Sequence, residues 1–81
     1  MKKYGNKNDA GKVNPRRLHE FEEGSGLLHQ VTELEGFPVA VFSWGAIIFP
    51  SELEARLREL IGRKITALRL DGRYYIREIS E

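Results

Sequence analysis

The chain has no cysteine. No disulfide can staple it and no thiolate can hold a metal, and a chain without thiols suits a reducing cytoplasm. It also lacks a long apolar run. The longest, Phe37–Phe49, spans thirteen residues and is broken by Pro38, Ser43 and Gly45, whereas a membrane span needs about 20. A basic start with no apolar region behind it excludes a secretory signal. A cytoplasmic protein with no membrane contact is therefore expected. Lys and Arg are missing altogether from residues 18–55, which instead carry Glu20, Glu22, Glu23, Glu33, Glu35, Glu52 and Glu54. That gap divides the chain into three charge blocks. Residues 1–17 hold Lys2, Lys3, Lys7, Lys12, Arg16 and Arg17 against Asp9, and residues 56–81 hold Arg56, Arg58, Arg63, Lys64, Arg69, Arg73 and Arg77 against four acids. The formal net charge of +1 conceals this segregation. Segregated charge bears on partners and self-association more than on fold.

Catalytic and cofactor patterns are missing too. Ser25, Ser43, Ser51, Ser80, Thr32 and Thr66 sit in no nucleophile motif. Gly24-Ser25-Gly26 lacks the Lys and the helix of a phosphate loop. His19 and His29 are two of the three or four ligands a metal requires, with no Cys or Asp cluster to complete the set. No enzymatic activity, cofactor or metal is expected.

With 81 residues the chain makes one domain. A domain this small buries only about 60% of the surface its unfolded form exposes, so oligomerisation is a plausible source of extra burial. Residues 1–13 show no periodic apolar pattern and read as a mobile basic tail, leaving 14–81 as a single small globular domain. Asn14-Pro15 offers a cap and a first helical position for a short optional helix ending at Gly24. Arg16 and Arg17 at its start and Glu22 and Glu23 at its end oppose the macrodipole. Gly24-Ser25-Gly26 reads as a flexible link.

Beyond it the pattern is β-like. Leu27–Leu34, Phe37–Ser43 and Ala46–Phe49 are candidate strands, with Glu35-Gly36 as a turn and Pro38 placing the start of the second at an edge or bulge. The nearly continuous apolar run suggests strands covered on both faces. The clearest element is a helix over Glu52–Ile61. Ser51 and Glu54 have capping-box spacing, Leu53, Leu57, Leu60 and Ile61 form one stripe, and Gly62 supplies the stop. Lys64–Leu70 and Arg73–Ile79 flank Asp71-Gly72, a type I′ hairpin signal that sets Leu70 opposite Arg73, Leu68 opposite Tyr75 and Thr66 opposite Arg77. The predicted class is α+β but β-dominated: a five-stranded barrel-like domain in the order (α)-β-β-β-α-β-β, OB- or SH3-like, with one capped helix and a C-terminal hairpin.

The segment from Leu60 to Tyr75, with a short helix running into a strand and a turn containing Asp71-Gly72-Arg73, resembles the opening of Sm-like RNA-binding proteins. In that family three further strands follow the hairpin and a Gly is expected near Arg77; neither is found, so the chain is not assigned to the family.

Two functional patterns remain. Arg73, Tyr75 and Arg77 share one face of the last strand, and Arg69 and Tyr74 are cross-strand neighbours on the other. Guanidinium beside an aromatic ring suits phosphate contact and base stacking, and Lys2 and Lys3 of the tail can add phosphate contacts. This predicts a non-enzymatic module binding RNA or DNA. The alternative is a protein-interaction or homo-oligomerisation module that pairs complementary charge blocks and uses Phe42, Trp44 and Phe49 of the apolar stretch as its contact.

Overall fold

The computed structural model describes residues 15–79. The basic tail expected over 1–13, with Lys2 and Lys3, lies outside the described residues. In chain order the elements are β1 (Glu23–Leu27), β2 (Gln30–Leu34), β3 (Phe37–Phe42), β4 (Gly45–Ile48), a 3-10 turn (Ser51–Leu53) continuing into α1 (Glu54–Glu59), β5 (Lys64–Leu70) and β6 (Arg73–Glu78). They form two antiparallel three-stranded sheets, ordered β1-β5-β6 and β2-β3-β4. The domain is thus β-dominated with one short helix, and among the described residues its sheets are not joined into one closed barrel.

The optional N-terminal helix does not form. Arg16 instead lies extended beside β4, its N–H donating to Ala46 and its carbonyl accepting from Ile48. The chain turns at His19–Phe21 and meets the other sheet through Phe21 and Arg69 at 2.7 Å. The unfavourable end charges disfavour the helix, and Arg16 and Glu22 become partners in a bidentate ion pair across the turn.

Gly24-Ser25-Gly26 is the middle of a strand, not a flexible link. Gly24 and Gly26 lie under the indole of Trp44: a Cβ on Gly24 would sit 3.2 Å from the ring, and one on Gly26 would sit 2.9 Å from Nε1. The glycines permit a close approach. β1 is the strand missing from the expected order. The strand expected over Leu27–Leu34 breaks at Leu28, which bonds Gly62 and Arg63 in the turn leading into β5, while His29 already donates to Val41 of the second sheet.

β3 is central in its sheet rather than an edge, and Pro38, Val39, Ala40 and Phe42 are buried as the apolar run implied. Pro38 lies where that ladder ends: one residue past Ile48 its carbonyl still accepts from the Phe49 N–H at 2.9 Å, so the N–H that proline lacks is missing only from the last pair. Both predicted turns are tight hairpins with positive φ at Glu35-Gly36 and Asp71-Gly72. The register expected for β5 and β6 holds at all three pairs.

The helix is shorter than its apolar stripe and its capping box does not form. Its first turn is 3-10, with the Leu53 N–H on Pro50 and the Glu54 N–H on Ser51, so backbone carbonyls take the donors the Ser51 hydroxyl would have bound. Glu54 pairs with Arg58 at 2.9 Å instead. Helical backbone stops at Glu59, which leaves Leu57 and Leu60 in the core and rotates Ile61 out to solvent. Gly62, at φ 88°, makes the expected stop. The core joins Leu18, Leu28, Phe42, Ile47, Phe49, Leu57 and Ile65 between the sheets and the helix. Each buried leucine contributes about 1.5–3 kcal/mol.

Candidate nucleic-acid interface

The outer face of the first sheet is built in cross-strand rows. Glu23 of β1 pairs with Leu68 of β5, which pairs with Tyr75 of β6; beside that row, Ser25 pairs with Thr66, which pairs with Arg77. Alternation puts all six on one face. Tyr75 is 49% exposed. A shallow trough of about 350 Å³ is lined by Glu23, Thr66, Leu68, Tyr75 and Arg77. Ser25 donates to the Thr66 hydroxyl at 2.9 Å, and Thr66 donates to Glu23 Oε2 at 3.2 Å, which holds that carboxylate at the trough's rim.

Arg73, two residues before Tyr75, lies on the same face, and both Arg73 and Arg77 are exposed. Neither makes an ion pair or side-chain hydrogen bond among the described residues, unlike Arg16, Arg56, Arg58, Arg63 and Arg69. Unpaired guanidinium groups on either side of an exposed ring can take an anion without first breaking a bond.

Arg69 and Tyr74 lie on the opposite, inner face. The Tyr74 ring packs edge-on against Phe49 with centroids 5.4 Å apart, and its hydroxyl is buried without a hydrogen-bond partner among the described residues. Arg69 donates to the Leu18 carbonyl at 2.8 Å, lies 3.8 Å from Glu20 and covers the Tyr74 ring. Both are therefore structural where they stand, and the five hairpin residues do not converge on one surface.

Of the three aromatic residues expected at an interface, Phe42 and Phe49 are 2% and 0% exposed and belong to the core. Trp44 is 51% exposed. It stacks on Phe42 with centroids 4.9 Å apart and planes 8° off parallel, and its N–H donates to the Ser25 carbonyl at 2.8 Å. One indole face is thus covered by a buried ring, and Gly24 and Gly26 of β1 approach the indole as well.

Two features were not read from the sequence. Glu20 accepts from the backbone N–H groups of Asp71 and Gly72, the latter at 3.0 Å, and so fastens the hairpin tip. Glu22 is held by Arg16 and by the His19 N–H, which bring its pKa down to about 2. Both contacts join residues brought together by the turn at 19–21, which no local pattern announces.

Among the described residues no three His, Cys, Asp or Glu are grouped to hold a metal, and no helix is long and apolar enough to cross a membrane. Comparisons with protein-family models, with curated proteins and with solved structures found no match for this chain.

Proposed function

We propose that this chain is a small, barrel-like, non-enzymatic module that binds nucleic acid, RNA or DNA, on the outer face of its first sheet. The observation that carries the reading is the placement of Arg73, Tyr75 and Arg77 on one face of β6, with the ring exposed and both guanidinium groups unpaired among the described residues. Two residues along a strand advance the chain by about 6.6 Å. The two guanidinium groups therefore flank Tyr75 along a line that an extended phosphate backbone can follow. Lys2 and Lys3, in the basic N-terminal block, add charge to the same reading. The barrel-like description is supported by the two places where the chain passes from sheet to sheet while keeping its backbone hydrogen bonds, at Arg16–Glu22 and at Leu28–His29.

The test is titration of a fluorescent mixed-sequence single-stranded RNA across a salt series. Affinity falls steeply as salt rises. Changing Arg73 and Arg77 together to Ala reduces the slope of log K against log salt by about 1.4, two phosphates at about 0.7 each. No binding at low salt refutes the reading, and a slope unchanged in the double variant removes these residues from it.

The exposure of Trp44 supports a second reading, a protein-interaction or self-association module. With Phe42 and Phe49 buried, Trp44 is the anchor of that contact. Under this reading sedimentation shows a discrete assembly that Trp44→Ala dissociates without unfolding the protomer.

A further inference from the structure

The rows across the outer face have a direction. Arg73 and Arg77 stand on the edge strand β6, and the carboxylate of Glu23 stands on β1 at the other side, with Leu68 and Thr66 between them. The distance across is two strand spacings, roughly 10 Å. A nucleotide laid over this face has one favourable orientation: phosphate at the guanidinium edge, base against Tyr75 and Leu68, and the far edge of the base toward Glu23. The reverse orientation sets phosphate against carboxylate.

That orientation makes Glu23 a reader of the base. A carboxylate only accepts hydrogen bonds, so it rewards a base edge that carries an exocyclic amine and repels one that carries a carbonyl. Glu23 is also held ready. Thr66, itself fixed by Ser25, donates to Oε2, leaving Oε1 as the acceptor for a ligand. The remaining surroundings restrict the ligand to unpaired strands. Stacking on a tyrosine ring requires a base released from its pair. The only helix among the described residues, α1, has six residues and packs on the second sheet, and the hairpin tip carries Asp71 with Glu20 bound to it. Neither element is suited to enter a DNA groove.

We infer that the trough between Tyr75 and Glu23 selects single-stranded nucleic acid with an amine-bearing base, such as cytosine or adenine, over uracil, with Glu23 as the specificity residue. The inference rests on the nucleic-acid reading above and sharpens it.

The experiment compares oligocytidine with oligouridine of equal length, which present an amine and a carbonyl at the same ring position. Affinities are measured by fluorescence anisotropy at fixed salt for the wild type and for Glu23→Gln, with thermal melts of both proteins to confirm equal folding. The wild type binds oligocytidine about tenfold more tightly. Glu23→Gln, whose amide both donates and accepts, narrows the difference to about twofold by gaining affinity for oligouridine. A duplex of mixed sequence competes poorly. Equal affinities of the wild type for the two oligomers, or a preference that survives in Glu23→Gln, overturns the inference while the nucleic-acid reading stands. Equal competition by duplex overturns the single-strand part. Failure to bind any oligomer at low salt overturns both.

Discussion

Replacing Gly26 by Ala tests the packing that turns Gly24-Ser25-Gly26 into a strand. Gly26 has φ 156° and lies under Trp44, where a Cβ would be 2.9 Å from Nε1. Two costs follow. An alanine in this glycine-preferring backbone region costs about 1–3 kcal/mol. Displacing the indole breaks its 2.8 Å bond to the Ser25 carbonyl, a further ~0.5–1.5 kcal/mol. Together they amount to about 1.5–4.5 kcal/mol, or a fall of roughly 6–36 °C in melting temperature for a domain of this size. Gly45→Ala is the internal control, because nothing lies within 4 Å of its Cβ position. It is expected to be neutral or to stabilise by about 0.4–1 kcal/mol, by restricting the unfolded chain. Urea unfolding gives the free energies. Emission from Trp44, the single tryptophan of the chain, reports the indole directly and shifts to the red in Gly26→Ala alone. If Gly26→Ala and Gly45→Ala match within about 0.5 kcal/mol and emission is unchanged in both, the indole does not depend on this seat and the reasoning fails.

Two further outcomes follow from the polar contacts. Tyr74→Phe removes a buried hydroxyl that has no partner among the described residues and is expected to raise the urea midpoint by the equivalent of about 1 kcal/mol; a loss of stability shows that the hydroxyl is bonded. The Glu22 carboxyl is lowered from 4.5 to about 2 by Arg16 and the His19 N–H. A depressed carboxyl contributes stability above its unfolded pKa and loses it as pH falls through the folded value. The wild type therefore loses part of its stability between about pH 4.5 and 2 that Glu22→Gln lacks at every pH. Parallel urea midpoints for the two proteins across that window would remove Glu22 from the acid response.

The parts of this fold that were legible in the sequence are those decided within a few residues. Asp71-Gly72 requires positive φ at both positions, and the turn then fixed every pair from Leu70–Arg73 to Thr66–Arg77. The helix was legible from its leucine spacing. Its cap was not, because Ser51 follows Pro50 into a 3-10 turn whose backbone bonds take the donors first. The glycines of β1 were misread because their reason, Trp44, is about twenty residues away and on another sheet. The candidate site divides in the same way. The face shared by Arg73, Tyr75 and Arg77 follows from strand alternation alone. The far wall of the trough does not, since Glu23 meets Thr66 only through the pairing of β1 with β5, 43 residues apart. Core membership of Phe42 and Phe49, offered by the sequence as interface, was decided by the packing of one sheet on the other.

Amide chemical-shift mapping of the full chain during titration with a short single-stranded RNA at low salt tests the central claim most directly. Binding on the outer face of the first sheet shifts Arg73, Tyr75 and Arg77 of β6, Thr66 and Leu68 of β5 and Glu23 of β1, and leaves β2, β3 and α1 unchanged. Shifts centred on Trp44 or the second sheet, or no shifts at all, contradict the account.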